Sequence, residues 1–233
     1  NSWSTFDAGA NGVGSDPVGY QGGIFDGRYV YFVPSIARDE QNGVILEGEV
    51  LRYDTTSNFE SPNSWSTFDA GANGVGNNPV AYREGIFDGR YVYFVPHNMV
   101  GGYHGEVLRY DTTSNFESPN SWSTFDAGAN DVGVDATGYA GAVFDGKYVY
   151  FVPLISNSGF HGEVLRYDTT SNFESPNSWS TFDAGANGVG SDPVGYQGGI
   201  FDGRYVYFVP WKDSTGNYHG EVLRYDIKFL PTM

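Results

Sequence analysis

The sequence predicts an all-β protein, a four-bladed β-propeller in which each blade is a four-stranded antiparallel sheet. Three observations lead to this prediction. The segment NSWSTFDAG occurs four times and begins at residues 1, 63, 120 and 177. Each copy contains short runs rich in aromatic and β-branched residues, separated by turn signals. No segment has the 3.6-residue period of an amphipathic helix.

The repeat defines a single domain over residues 1–233 and divides it into four similar units. These units cover residues 1–62, 63–119, 120–176 and 177–233. In each unit, SWSTFDAG is one predicted strand, because Trp3 and Thr5 alternate with Ser4 and Phe6 in the first copy. Such alternation is typical of a strand with one buried face.

The other three predicted strands of each unit form a hairpin and its neighbour. In the first copy, GYQGGIF and RYVYFVP flank Asp26-Gly27. An Asp-Gly pair between β-prone runs predicts a type I′ turn, since both central residues of that turn need a positive φ. RYVYFVP is apolar on both faces, which predicts a strand covered on both sides. The last strand, GEVLRYD, follows a loop that differs between copies.

This order of strands resembles a blade of the kelch family: GGIFDGRYVYFVP, then GEVLRYD, then SWSTF. The resemblance implies a propeller in which the Trp strand is the outermost strand of each blade. The sequence departs from kelch blades after the second strand, where Val33-Pro34 stands in place of a glycine pair. It therefore supports the blade architecture better than kelch membership. The hemopexin domain is an analogy for four blades, without sequence similarity.

The phase of the repeat predicts how the ring closes. The last copy passes from GEVLRYD into IKFLPTM at Asp226, so we expect residues 2–8 to complete the fourth blade, formed by residues 196–226. A monomer is favoured, and a swapped dimer that closes as eight blades is the alternative. Small residues on the inner strands favour a tight axis with four blades. They are Gly22, Gly23, Gly85, Gly141, Ala142, Gly198 and Gly199.

Composition excludes several classes of partner. The formal net charge is −16, which argues against nucleic acid as a ligand. The chain has no cysteine, and so neither disulfides nor a thiolate metal site. No apolar run approaches the roughly 18 to 20 residues of a transmembrane helix, so we expect no membrane insertion. The compartment stays open, with a secreted or cell-surface location slightly favoured.

The four copies differ mainly in the loops between blades and in the loops between second and third strands, which a propeller places on one face. We interpret this face as a binding surface on a constant scaffold, and drift of surface loops is the alternative. The repeated residues Trp3, Trp65, Trp122 and Trp179 are interpreted as packing between blades. Trp211 stands alone in a polar loop and is a candidate for an exposed contact. The candidate ligand-binding residues are Gln21, Arg83, Glu84, Gln197, His104, His161, Trp211 and His219.

Metal binding is a further hypothesis for this sequence. Asp7, Asn11 and Asp16 are the candidates, because the run from Asp7 partly resembles a calcium loop. However, Val18 occupies the twelfth position, where that loop needs a bidentate glutamate. For the loop histidines, hydrogen bonding to local backbone is favoured over zinc ligation. No cofactor is expected, apart from a structural ion held by backbone carbonyls in an axial channel as an alternative.

We expect no enzymatic activity. The acids Asp7, Asp26, Glu49 and Asp54 recur in every unit, which favours structural roles, and no set of nucleophile, base and orienting residue stands out. The favoured function is a non-enzymatic binding or scaffold module for a carbohydrate or a protein, with carbohydrate preferred because loop aromatics and amides suit it. One alternative is a repeat-amplified or engineered propeller without a selected small-molecule function. Another is a propeller glycoside hydrolase with acidic residues near the axis.

Overall fold

The computed structural model describes residues 2–39, 43–99 and 101–228. Apart from short 3-10 turns, every regular element in these residues is a β-strand. The strands are β1 Tyr20–Phe25, β2 Tyr29–Pro34, β3 Ile36–Asp39, β4 Gly43–Leu46, β5 Glu49–Asp54, β6 Trp65–Asp69, β7 Tyr82–Phe87, β8 Tyr91–Pro96, β9 Asn98–Met99, β10 Gly102–Tyr103, β11 Glu106–Asp111, β12 Trp122–Asp126, β13 Tyr139–Phe144, β14 Tyr148–Pro153, β15 Ile155–Ser156, β16 Gly159–Phe160, β17 Glu163–Asp168, β18 Trp179–Asp183, β19 Tyr196–Phe201, β20 Tyr205–Pro210 and β21 Leu223–Asp226. The 3-10 turns are Gly9–Asn11, Pro62–Ser64, Pro119–Ser121, Gly128–Asn130 and Pro176–Ser178.

Each repeat contributes one main antiparallel sheet, numbered sheet 1 to sheet 4 in chain order. The strand orders are β1-β2-β5-β6, β7-β8-β11-β12, β13-β14-β17-β18 and β19-β20-β21. The predicted class is confirmed: the chain is all-β and is built from four blade-like sheets of the propeller type. Small two-stranded hairpins, β3-β4, β9-β10 and β15-β16, extend from the connection between the second and third strands of sheets 1 to 3.

The predicted strand over residues 2–8 is not found. Residues 2–7 have no regular structure, and the side chain of Trp3 is 87% exposed. Sheet 4 accordingly has three strands among the described residues. The physical reason is that a strand exists only where a second strand hydrogen-bonds to it, and residues 2–7 have no such ladder. Trp3 is therefore not the packing residue that its position in the repeat predicts.

The Asp-Gly pairs lie at hairpin turns as predicted, but the predicted type I′ geometry is wrong, since Gly27 has a positive φ and Asp26 does not. The central residues of the first turn are Gly27 and Arg28, because the backbone N–H of Asp26 donates to the carbonyl of Tyr29. In the first copy, Asp26 Oδ1 accepts hydrogen bonds from the backbone N–H groups of Arg28 and Tyr29 at 2.8 and 2.6 Å. Its second oxygen accepts a hydrogen bond from the Tyr31 hydroxyl at 2.7 Å. Gly27 has a φ of 104°, a conformation that favours glycine. The same aspartate contacts recur at Asp88, Asp145 and Asp202.

The chain divides into two compact units. Unit 1 comprises Asn1–Phe94 and Leu108–Thr124, and unit 2 comprises Val95–Val107 and Phe125–Met233. Unit 1 contains sheet 1 and most of sheet 2, while unit 2 contains sheets 3 and 4. Within the described residues no helix is both long and apolar enough to cross a membrane.

Inside each unit, the first strands of successive sheets pack against each other: β1 lies on β7, and β13 lies on β19. A side chain at Gly85 would clash with Ile24, and one at Gly199 would clash with Val143. These glycines let two sheets approach closely. The requirement for small residues on the first strands at these two positions therefore comes from the neighbouring sheet.

Three of the repeated tryptophans pack against aromatic rings of neighbouring segments. In unit 2, Trp179 stacks on Phe125 with a centroid distance of 4.7 Å, and its indole N–H donates to the carbonyl of Phe173 at 2.8 Å. In unit 1, Trp122 stacks on Phe68 in the same way, and Trp65 stacks on Phe6. The predicted packing role is confirmed for Trp65, Trp122 and Trp179.

Candidate functional site

The variable connections of unit 2 meet in one surface. We call it the hairpin surface; its residues are Tyr103, Asn157, Phe160, Trp211, Lys212 and Tyr218. The Oδ1 atom of Asn157 accepts a hydrogen bond from the backbone N–H of Tyr103 at 3.1 Å, which joins β9-β10 to β15-β16. Phe160 then contacts Trp211 edge to face at 6.0 Å between ring centroids. The surface is thus continuous across three connections.

The last connection, residues 211–219, is held in shape by its own side chains. Asp213 Oδ1 accepts hydrogen bonds from the backbone N–H groups of Thr215 and Asn217 at 2.9 and 2.8 Å. The Thr215 hydroxyl also donates to this atom and lowers the pKa of Asp213 below its ordinary value. An ionised aspartate therefore closes the loop like a turn cap.

This loop presents an aromatic ring to solvent. Tyr218 is 76% exposed, and the Lys212 ammonium lies 3.6 Å from the centroid of its ring. Lys212 Nζ also donates to the carbonyl oxygen of Gly216 at 2.8 Å, so the cation is fixed in place. The half-buried ring of Trp211 lies 6.5 Å from that of Tyr218. Together these groups offer a rigid apolar platform beside a positive charge and amide groups.

Three of the predicted ligand residues are histidines, and two of them are buried. His161 is only 6% exposed, and its Nε2 lies 3.0 Å from the carbonyl oxygen of Thr137. Because a carbonyl only accepts, Nε2 carries the proton, and burial lowers the pKa of the ring. His104 is buried as well. Burial argues against direct ligand contact by these two residues, while half-buried His219 donates its backbone N–H to the Trp211 carbonyl.

The other predicted ligand residues lie on the first strands of sheets 1, 2 and 4. In unit 1, Gln21 is exposed on β1, and its Oε1 accepts a hydrogen bond from the Ser35 hydroxyl at 3.3 Å. Arg83 and Glu84 lie on β7 beside β1, where burial raises the pKa of Glu84 although Arg83 opposes the shift. Gln197 lies exposed on β19 in unit 2.

The candidate metal residues make hydrogen bonds within and next to their own loop. Asp7 Oδ1 accepts the backbone N–H of Ala10 at 2.9 Å, and the Asn11 amide donates to the Asp7 carbonyl at 2.7 Å. The same two bonds recur at Asp69, Asp126 and Asp183 and hold a repeated turn. The backbone N–H of Asp16 donates to Glu49. Across the described part of the chain, no group of three or more His, Cys, Asp or Glu side chains is close enough to hold a metal ion.

The recurring glutamates support the loops between sheets. Glu49 accepts hydrogen bonds from the backbone N–H groups of Ser15 and Asp16. Glu163 accepts the equivalent bonds from Val134 and Asp135, and Glu221 accepts them from Ser191 and Asp192. A carboxylate that satisfies two loop amides is a structural acceptor, as the recurrence of Glu49 predicts.

Sequence reasoning missed part of the hairpin surface and the burial of the glutamate that stands in the histidine position of the first copy. Tyr103, Asn157 and Phe160 belong to the hairpin surface, and the signal that could have identified them is their position in connections that vary. Glu47 replaces the histidine of the other copies and is 5% exposed. Burial raises its pKa, and the carboxylates of Asp16 and Glu49 raise it further.

Comparisons with known proteins assign no family to this chain. No family model and no curated protein matches its sequence. Among solved structures, it is similar to one described as the structure of YjhT, with 12% sequence identity and a TM-score of 0.49. That alignment covers 93% of this chain and 68% of the YjhT chain.

Proposed function

We propose that this protein is a non-enzymatic binding module whose hairpin surface takes a carbohydrate ligand. The observation that carries the proposal is the exposed ring of Tyr218, which Lys212 holds beside Trp211 in a connection unlike its counterparts in the other repeats. Binding residues commonly lie on loops that a rigid scaffold positions. In this chain the strands of the sheets are repeated, and the connections between the second and third strands differ from one repeat to the next.

The chemistry of the surface suits a sugar. The rings of Trp211 and Tyr218 are large apolar platforms with a polar edge, against which the C–H face of a sugar ring can lie. The amide groups of Asn157 and Asn217 have further donor and acceptor capacity beside their bonds to Tyr103 and Thr215, and they can donate and accept as hydroxyl groups do. Because Asp213 fixes the loop, little conformational entropy is lost when a ligand binds.

The non-enzymatic part of the proposal rests on the recurring acids. Glu49, Glu163 and Glu221 each accept two loop amides, and Asp54 is paired with Arg28 at 2.7 Å. The hydrogen bond from Arg28 holds the pKa of Asp54 well below its ordinary value. Acid–base catalysis of glycoside hydrolysis needs instead a protonated acid opposite a second carboxylate.

A glycan array compares the wild-type protein with two variants, Tyr218→Ala and Trp211→Ala. We expect each to weaken binding about fivefold or more, since aromatic contacts of this kind contribute roughly 1 kcal/mol beyond buried area. Val189→Ala is the control, because it removes an exposed apolar side chain that lies outside the hairpin surface. The melting temperature of Tyr218→Ala should stay within about 2 °C of wild type, because the ring is exposed.

Two outcomes would overturn the proposal. One is a wild-type protein that retains no glycan on the array. The other is glycan binding that both surface variants leave unchanged. Release of reducing sugar from a bound glycan would contradict the non-enzymatic part alone.

A further inference from the structure

Sheet 4 ends in an open edge. Its last strand, β21, has the same sequence as the corresponding part of β17, but it spans only Leu223–Asp226 and has no fourth strand beside it among the described residues. Val222 is 58% exposed, whereas the equivalent Val164 in sheet 3 is 7% exposed. An edge of this kind presents unpaired backbone groups to any strand of suitable sequence.

One face of sheet 4 is exposed as well, namely the face that packs against a following sheet in sheet 1. Ile200 is 61% exposed, while the equivalent Ile24 in sheet 1 is 6% exposed because β7 covers it. Phe182, at the end of sheet 3, is half exposed, whereas the equivalent Phe125 is buried under Trp179. We call Phe182, Ile200 and Val222 the trailing face. Each of them lacks the neighbour that its counterpart has.

Unit 1 has an exposed surface at the position where, in other repeats, a preceding sheet packs. Trp3, Gly23 and Phe25, which we call the leading face, are all exposed. In the second and fourth repeats the residue equivalent to Gly23 receives an aliphatic side chain from the preceding sheet: Ile24 packs at Gly85, and Val143 packs at Gly199. Within the described residues of unit 1, no preceding sheet covers the leading face, and within those of unit 2, no following sheet covers the trailing face.

Residues 2–7 already make some of the contacts that a fourth strand makes in the other sheets. Phe6 stacks on Trp65 at 4.9 Å, as Phe68 stacks on Trp122 at 4.7 Å at the equivalent position. The turn that follows Asp7 has the same hydrogen bonds as the turn after Asp69. What residues 2–7 lack is a ladder of backbone hydrogen bonds to the third strand of a sheet.

We propose that the trailing face of one copy binds the leading face of a second copy of this chain, and that residues 2–7 of the second copy add to β21 as its fourth strand. This is β-strand addition, in which main-chain hydrogen bonds provide affinity and side-chain pockets provide specificity. The contact joins two different surfaces, so it is heterologous.

The internal repeats give the register of the contact. In sheet 3, Val164 lies opposite Phe182, Arg166 opposite Ser180 and Tyr167 opposite Trp179. Sheet 1 has the same register, and the Arg52 guanidinium donates to the Ser66 hydroxyl at 3.1 Å. By the same register, pairs form between the two copies. They are Val222 with Phe6, Leu223 with Thr5, Arg224 with Ser4 and Tyr225 with Trp3.

Cross-linking tests this register directly, because the protein has no cysteine of its own. Two single variants, Ser4→Cys and Arg224→Cys, are mixed and oxidised. Opposed residues on neighbouring strands are close enough for a disulfide after small adjustments. We expect a product of twice 25.5 kDa that exceeds what either variant forms alone. Thr5→Cys with Arg224→Cys is the matched control, since a shift of one residue places the side chains on opposite faces.

The outcomes separate the second copy from other occupants. A mixture that yields no more cross-linked product than its separate components would overturn the proposal. The double variant Ser4→Cys/Arg224→Cys, oxidised at low concentration, must not form a disulfide within one 25.5 kDa chain. If it does, the chain's own segment fills the edge and the second copy is excluded.

Light scattering provides a measurement without cysteines. The wild-type protein should show a mass above 25.5 kDa that falls on dilution. Trp3→Ala and Val222→Lys should each weaken association about 30-fold or more, as expected for a central aromatic or a charge at a packed edge. Val134→Ala, another exposed apolar residue of unit 2, should leave the mass unchanged. A wild-type mass of one chain at every concentration contradicts the proposal.

Discussion

Sheets 3 and 4 have the same strand sequence in two different settings. The third strand reads EVLRYD in both, at residues 163–168 and 221–226. In sheet 3 all six residues form β17, with β18 beside them, and Val164 is buried. In sheet 4 the strand shortens to four residues, and Val222 is exposed. The comparison teaches that a neighbouring strand, more than local sequence, fixes both the burial and the length of this element.

The loops before the two strands do not share this dependence. Glu163 accepts hydrogen bonds from the backbone N–H groups of Val134 and Asp135, and Glu221 accepts them from Ser191 and Asp192, although its sheet has three strands among the described residues. The connection between successive sheets is thus held by short-range contacts of the third strand. The fourth strand contributes packing and ladder bonds instead.

The largest expected effect is the loss of the aromatic packing on β18. Trp179→Ala removes a ring that stacks on Phe125 and an indole N–H bonded to the Phe173 carbonyl. We expect the free energy of unfolding in urea to fall by about 3–5 kcal/mol, as for other buried tryptophans. Trp3→Ala, measured in dilute solution, should change it by less than about 0.5 kcal/mol, since that ring is exposed. Equal losses would show that Trp3 is packed in the single chain.

A smaller effect compares the two equivalent valines. Val164→Ala removes two buried methyl groups and should lower the free energy of unfolding by roughly 1.5–2 kcal/mol. Val222→Ala at the open edge should change it by less than about 0.5 kcal/mol in dilute protein. The measurement is a pair of urea titrations at low concentration. A large loss at Val222 would mean that the edge is covered under those conditions.

The fold could be predicted where the deciding contacts are local. The hairpins follow from Asp26-Gly27 and its copies, because the aspartate bonds to residues two and three positions later. The third and fourth strands follow from alternation and repetition. Residues 2–8 could not be placed this way, since the same sequence is a strand at Trp65–Asp69 only because β5 lies beside it.

The candidate site could be predicted only where the sequence of a connection itself marks a residue. Trp211 differs from every repeated residue, so sequence comparison among the copies singles it out. Asn157 and Phe160 join it only through the packing of successive connections, as in the bond from Tyr103 to Asn157 across 54 positions. Sequence likewise selected His104 and His161 as variable-loop residues, although both are buried.

The equivalent histidines extend the comparison of sheets 3 and 4 to pH. Burial lowers the pKa of His161, so the folded state binds its proton less tightly than the unfolded state does. Stability is therefore unaffected well above the ordinary pKa of about 6.5 and declines as the pH falls through it. His161→Gln should flatten this decline in melting temperature between about pH 7 and pH 5. His219→Gln, at a half-buried position, is the control and should have the smaller effect.

The smallest expected effect concerns Glu221 on the open edge. The backbone N–H groups of Asp192 and Ser191 lower the pKa of its carboxyl below the ordinary value. The unfolded state then binds the proton more tightly, so this carboxylate stabilises the fold above its unfolded-state pKa of about 4.3. That contribution is lost as the pH falls through the lower pKa of the folded state. Because solvent screens the group, the loss should be slight.

Glu221→Gln keeps one acceptor oxygen but removes the ionisation. We therefore expect a slightly lower melting temperature at neutral pH and a shallower decline between about pH 5 and pH 3. Glu174→Gln, which neutralises an exposed carboxylate in the linker before β18, controls for the change in net charge. If both variants flatten the acid decline equally, the effect belongs to the overall negative charge of the chain. If only Glu221→Gln does so, the loop amides of sheet 4 hold this carboxylate even where no fourth strand covers it.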